Sequence, residues 1–201
     1  MPETPKQRTQ KMKGDVLHPS AVDMLKTDHQ KVEALLKQYE AADDIDKQAL
    51  AKQIFNELEV RSLLEEEIFY PAVREQVPPK EFAELSGEEE EETEEAGEEI
   101  SGEAEESLAE ESEDIIDISY EEHQAVKDLI QELKKLDHKS DAFKERWIQL
   151  KEDVMSHISE EEDVILPAAQ MHLKLEDLGA MMEQRRIDLV SSMSGEMKQA
   201  G

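Results

Sequence analysis

Two stretches of this chain repeat one another. Laying Leu58–Val73 over Val154–Ala169 at a constant offset brings Glu65 onto Glu161, Glu66 onto Glu162, Ile68 onto Val164 and Pro71 onto Pro167, and sets Arg61 opposite His157. Each stretch is the second member of a pair of amphipathic helices. In the first pair, Val22, Leu25, His29, Val32, Leu36 and Tyr39 recur at alternating spacings of three and four, and Ile54, Leu58, Arg61, Glu65 and Ile68 form the seam that follows. In the second pair the seams are Ser119, His123, Val126, Ile130 and Leu133, then Trp147, Leu150, Val154, His157, Glu161 and Val164. Such spacing lines up one stripe of a helix, and a hairpin of two striped helices cannot bury both stripes alone. Two hairpins packed together can. The expectation is an all-α fold, an antiparallel up-down four-helix bundle built from two helical hairpins. Ser20 and Asp23 pair as a helix start, Asp43-Asp44 ends the first seam, and Pro71 and Pro167 mark where each second helix stops or bends. An extra C-terminal helix near 175–190, carrying Leu175, Leu178, Met182 and Leu189, packs outside the bundle.

Charge sets the remaining boundaries. The formal net charge is −29, from 23 basic against 52 acidic residues, which argues against nucleic acid or an anionic membrane as partner, since phosphate binding needs clustered Lys and Arg. The excess is concentrated between Lys80 and Lys127, where there is no Lys or Arg. Residues 84–113 therefore read as a disordered acidic low-complexity linker interrupting a bundle that spans 19–190, with disordered tails at 1–18 and 191–201. The linker is expected to act as a solvated spacer; the alternative is recruitment of a basic protein partner. With no cysteine, disulfides, thiolate metal sites and iron–sulfur clusters are excluded, so any metal must use His, Asp or Glu. No stretch approaches the apolar length of a membrane span and no signal-like segment is visible, so a cytoplasmic location is expected.

The informative residues are polar ones on apolar seams. His29, Glu65, His123, His157 and Glu161 all stand where a core side chain is expected, and a buried carboxylate must be paired, hydrogen-bonded or coordinated. His157 and Glu161, one turn apart, share a face and can converge on one ion. Any one of these histidines alone is better read as a satisfied core residue; the set, placed by a repeat at matching levels, favours a metal site. Imidazole with carboxylate suits iron, manganese or zinc. Glu66, Glu67, Glu160 and Glu162 lie off the seam and read as a solvated acidic flank, with Glu66 and Glu162 as second-choice ligands. His18, His138 and His172 read as exposed loop histidines.

The segments TDHQKV at 27–32, EEEIFYPAV at 65–73, EEHQAV at 121–126 and HISEEEDVILP at 157–167 resemble the hemerythrin HHE cation-binding family, over about 20–83 and 115–190. LEDLGAMMEQRR at 175–186 resembles the helix that follows the bundle in bacterial members. The resemblance implies a non-haem di-iron centre in which one helix of each hairpin gives a His and the next an HxxxE pair. His29, Glu65, His123, His157 and Glu161 meet that pattern; Arg61 stands where the second helix's histidine is expected.

An arginine stays cationic and cannot ligate. Either the site is a weaker, asymmetric one, or Arg61 pairs with Glu65 and leaves a single ion held by His123, His157 and Glu161. The family implies iron, one or two ions, that binds or reacts with dioxygen or a related small oxidant such as peroxide or nitric oxide, as carrier, sensor or oxidant-consuming enzyme. The alternative class is a scaffold or binding protein with a degenerate site, acting through its acidic segment. A carboxylate-and-metal hydrolase is weaker still, because no nucleophile stands beside a base.

Overall fold

Ser20 starts the first helix: its hydroxyl accepts the Asp23 amide at 3.1 Å and donates to the Asp23 carboxylate at 2.7 Å, the cap expected from the sequence. The computed structural model describes residues 19–87 and 102–199, with side chains over 19–87 and 115–193. Helices α1 (Ala21–Ala41) and α2 (Asp44–Leu64) form the first hairpin, turning at Ala42 and Asp43. Helix α2 runs through a π turn (Glu65–Phe69) into α3 (Tyr70–Gln76), followed by α4 (Pro79–Ser86). Helices α5 (Gly102–Leu133) and α6 (Asp141–Glu160) form the second hairpin, and α6 runs through its own π turn (Glu161–Ile165) into α7 (Leu166–His172). Helix α8 (Leu175–Gln199) packs against α1 and α2, and α4 packs against α5. The result is the expected all-α bundle with an added C-terminal helix.

Two boundaries differ from the reading of the sequence. Residues 84–86 finish α4 and residues 102–113 open α5, so both ends of the acidic stretch are helical; residues 88–101 and the N-terminal 1–18 lie outside the described residues. Glu and Ala are good helix formers, and acidic side chains at a helix N-terminus meet the positive end of its dipole, so a run of charge that cannot make a core can still extend a helix that has one. Likewise α8 continues through the residues read as a C-terminal tail, as far as Gln199.

The core is in two parts. One apolar cluster includes Leu25, Leu64, Phe69, Ile116, Ile165, Leu166 and Met182. The other includes Val32, Leu36, Ile54, Leu58, Val126, Ile130, Leu150 and Val154, with Tyr39 stacked on Trp147 at 3.7 Å between ring centroids. On each of α1, α2, α5 and α6 the polar seam residue falls between the two clusters: His29 between Leu25 and Val32, Arg61 between Leu58 and Leu64, His123 between Ile116 and Val126, His157 between Val154 and Ile165. Sequence spacing thus turns into one polar layer across the bundle.

Helix α8 closes this arrangement from outside. Arg186 donates to Asp28 (2.8 Å), the neighbour of His29, and Arg185 grips Glu67 at 2.6 and 2.9 Å. Its close approach depends on Gly179, where a β-carbon would stand 2.2 Å from the Pro19 carbonyl oxygen and 2.9 Å from the Ala21 nitrogen. Both are backbone atoms that cannot rotate aside. Gly179→Ala is expected to push α8 off the start of α1 and to destabilise the chain by about 1–3 kcal/mol, the usual range for overpacking. Urea unfolding checks this, and an unchanged midpoint would show that α8 is not held there.

Candidate metal centre

Pro71 and Pro167 lack the amide that a continuous α-helix would use, and both helices accommodate them by widening one turn instead of stopping. The Tyr70 N–H bonds the Glu65 carbonyl and the Leu166 N–H bonds the Glu161 carbonyl, each closing a π turn that begins at a seam glutamate. Tyr120 Oη donates to the Glu66 carbonyl at 3.0 Å, giving that oxygen a partner in the disturbed stretch. The extra residue in the turn also advances the buried face. Ile68, expected on the seam, is only partly buried, while Phe69 and Tyr70 are fully buried.

The structure brings all five expected ligands and Arg61 into one layer. His29, Glu65 and Glu161 are 0% exposed, His123 2%, His157 3% and Arg61 4%; these groups must find partners among themselves or bind an ion. The three imidazoles are oriented alike. Nδ1 of His29 meets Glu162 at 2.8 Å, Nδ1 of His123 meets Glu66 at 2.9 Å, and Nδ1 of His157 meets Glu122 at 2.7 Å. A carboxylate only accepts, so each Nδ1 carries the proton, and in the neutral ring the lone pair sits on Nε2. Every Nε2 faces inward. That of His29 lies 3.1 Å from Glu161, that of His123 lies 3.2 Å from Glu65 and 3.0 Å from Nε2 of His157, and that of His157 lies 3.4 Å from Glu161.

Three features of this layer were not expected from the sequence. Glu66 and Glu162, read as a solvated flank, orient two of the histidines, and Lys127 holds Glu66 at 2.6 and 2.7 Å. Glu122, adjacent to His123 and off the seam of its own helix, reaches the histidine of the neighbouring helix. Tyr70 lies five residues after Glu65, off that face in a plain α-helix and on it only through the π turn. Its hydroxyl donates to Glu161 at 2.7 Å and stands 3.4 and 3.5 Å from Nε2 of His123 and His157. His172, expected in an exposed loop, is the last residue of α7 and lies 3.3 Å from Glu81. His138 stays in the turn before α6, and His18 lies outside the described residues.

The charges are mutually dependent. Burial would lower the Arg61 pKa, but the Glu65 and Glu161 carboxylates raise it, so the guanidinium stays cationic. Burial would raise Glu161, but the His157 charge and hydrogen bond, the His29 hydrogen bond and Arg61 hold it well below the usual carboxylate range. Burial would lower His157, but Glu161 and the hydrogen bond to Glu122 push it up to about 9. His123 is raised as well: burial opposes, and the hydrogen bonds to Glu65 and Glu66 prevail. Tyr70 is pushed well above the usual phenol value by burial and by the Glu161 and Glu65 charges.

These residues fit a metal ion. Glu65, His123 and His157 offer three ligand atoms within 4.8 Å of one another, and so do His29, Glu65 and Glu161. The 3.0 Å between two imidazole nitrogens and the 3.2 Å from one of them to Glu65 match the spacing of neighbouring ligand atoms on one ion, which at metal–nitrogen bonds of about 2.0–2.1 Å is roughly 3 to 3.4 Å. Buried Glu65 Oε1, although 3.0 Å from Arg61 Nε, has no aligned hydrogen-bond donor, and Arg61 Nη1 has no acceptor. The carboxylates behind each Nδ1 supply the outer support that ligand histidines need.

Comparison with known proteins agrees with this geometry. Residues 114–188 match the family described as Hemerythrin HHE cation binding domain. The fold is similar to that of a solved hemerythrin HHE cation binding domain-containing protein from Mycobacterium kansasii, with a TM-score of 0.63 and 19% identity over 90% of this chain and 93% of that one. The chain is also 26% identical over 155 residues to a DNA nickase from Nostoc sp.; the match takes in 77% of this chain but only 34% of the relative's length.

In the metal-free chain the raised His157 contributes stability that is complete below its unfolded value of about 6.5 and lost as pH rises through about 9. Thermal melting with chelator should therefore show the midpoint falling between those values, and excess zinc, which takes the proton's place, should flatten the fall. A metal-free midpoint that is constant across this window would contradict the charge assignment.

Proposed function

We propose that this hemerythrin-like chain holds non-haem iron in the polar layer of its bundle and that the centre binds or reacts with dioxygen or a related small oxidant such as peroxide or nitric oxide. The observation that carries the reading is the convergence of three buried imidazoles, each with Nδ1 held by a carboxylate and Nε2 turned towards Glu65 or Glu161. Those residues would equally hold manganese or zinc; the choice of iron rests on the family resemblance. When bound, iron supplies the electrons by which a small oxidant is held or reduced.

The chain's own residues define what can reach that chemistry. The layer lies between two apolar clusters with its side chains at most 4% exposed, so a small molecule such as dioxygen suits it and a polymer does not. Glu65 and Glu161 offset positive charge, the outer carboxylates fix the imidazoles, and the Tyr70 hydroxyl holds a proton at Glu161 Oε1. The likeness to the nickase does not change this reading, because a phosphodiester backbone is too large to reach a layer whose side chains are at most 4% exposed.

The test is metal content. Chain loaded with ferrous iron without air and then desalted should retain iron and change its optical spectrum when air is admitted. His157→Ala, which removes a ligand atom shared by two close contacts in the layer, should lose most of the iron. Equal iron in both forms would remove the site assignment, and a wild-type chain that retains none would favour the scaffold reading.

A further inference from the structure

The two candidate ligand sets are not equivalent, and Arg61 makes the difference. Its Nε lies 3.0 Å from Glu65 Oε1 and its Nη2 lies 3.6 Å from Glu161 Oε2. Those are the two carboxylates of the set made with His29; of the set made with His123 and His157, Arg61 touches Glu65 alone. A guanidinium cannot give up its proton at any working pH, so the place beside Glu65 and Glu161 already holds a fixed cation.

Charge counting points the same way. Two buried carboxylates against Arg61 leave one negative charge, and a His29 that donates to both Glu162 and Glu161 carries a proton on each nitrogen and cancels it. One divalent ion held with neutral His123 and His157 then leaves the layer at two positive charges, while a second ion, which would have to displace the His29 proton, brings it to three. The carboxylates behind the histidines offset little of that excess: Glu66 is paired with Lys127, and the Glu122 and Glu162 side chains are 29% and 38% exposed, where solvent screens them. Hydrogen bonding separates the sets as well. Glu161 is satisfied by protein donors, Tyr70 on Oε1 at 2.7 Å and His29 on Oε2 at 3.1 Å. At the other set, two imidazole Nε2 atoms face each other at 3.0 Å and need a cation between their lone pairs, a proton or a metal.

Resting on the reading that the layer binds metal, we propose that the centre is mononuclear: one divalent ion is held by Glu65, His123 and His157, and the Arg61 guanidinium stands in for a second. His29 is then a hydrogen-bond donor to Glu161 and a positioning residue, although it occupies a ligand position in the sequence pattern. The single ion shares Glu65, and not Glu161, with its histidines, so Glu161 is left as the anion that anchors Arg61, Tyr70 and His29.

Zinc is the probe, because it is redox-silent and leaves oxygen chemistry out of the measurement. The full chain, stripped with chelator, is titrated with zinc by calorimetry, and bound zinc is counted by elemental analysis after desalting. The expected result is one ion per chain. His29→Gln, which keeps a donor towards Glu161, should still bind one ion with affinity within about 10-fold of wild type, whereas His157→Gln should lose more than the roughly 10–100-fold that supporting residues cost. Arg61→His should take up two. Two ions in the wild-type chain, equal losses in the two glutamine variants, or a folded Arg61→His that stays at one ion would each overturn the proposal while leaving a metal site standing. A wild-type chain that binds no zinc and no iron would instead sink the metal reading itself.

Discussion

Two carboxylates, Glu65 and Glu161, lie wholly inside a helical bundle, and most of the unusual features of the molecule compensate for that. An isolated buried carboxylate costs several kcal/mol or takes up a proton. Here the compensation is distributed: Arg61 lies against both, an imidazole lies against each, and Tyr70 donates to Glu161. Replacing this layer by leucine would make a simpler bundle, so the arrangement is best understood as a compromise between stability and the ability to hold a cation. The partners are also interdependent, because the same Glu161 that raises His157 is itself held ionised by His157.

Backbone irregularity is what delivers the layer. Each glutamate opens a π turn, and each turn is followed by a proline that a regular helix interior would reject. Widening the turn brings Tyr70 onto the Glu65 face in one hairpin and Leu166 to the matching place in the other, so the repeat is symmetric in backbone and asymmetric in chemistry. Helix α8 then fixes the outer side of α1 through Asp28, next to His29, and depends on a glycine to come close enough. The centre is thus set by contacts well away from its ligands.

Much of this was legible in the sequence. The apolar spacing placed His29, Arg61, Glu65, His123, His157 and Glu161 on seams, and the structure buries every one of them. The pairing of Arg61 with Glu65 was also legible, since residues one turn apart share a face. What could not be read was anything that departs from regular α-helical spacing or reaches between helices. Tyr70 enters only through a π turn, and Glu122 acts on a histidine of the next helix, a contact that no spacing along one helix reports. Glu66 and Glu162 were read as solvated because they lie one position off the seam, yet a carboxylate there is well placed to hold Nδ1 of a histidine across the groove. The acidic stretch differs for another reason: its composition says little about whether it extends a neighbouring helix.

The central claim is that the imidazoles are held by carboxylates at Nδ1 so that Nε2 faces an ion, and the nitrogens themselves can report it. Long-range proton–nitrogen NMR of the histidine side chains, recorded on the metal-free chain and after zinc addition, distinguishes protonated, free and metal-bound ring nitrogens. The account predicts that Nδ1 of His29, His123 and His157 stays protonated throughout, while Nε2 of His123 and of His157 moves to a metal-bound position on zinc addition. Nε2 resonances that ignore zinc, or an Nδ1 that loses its proton to bind it, would contradict the account.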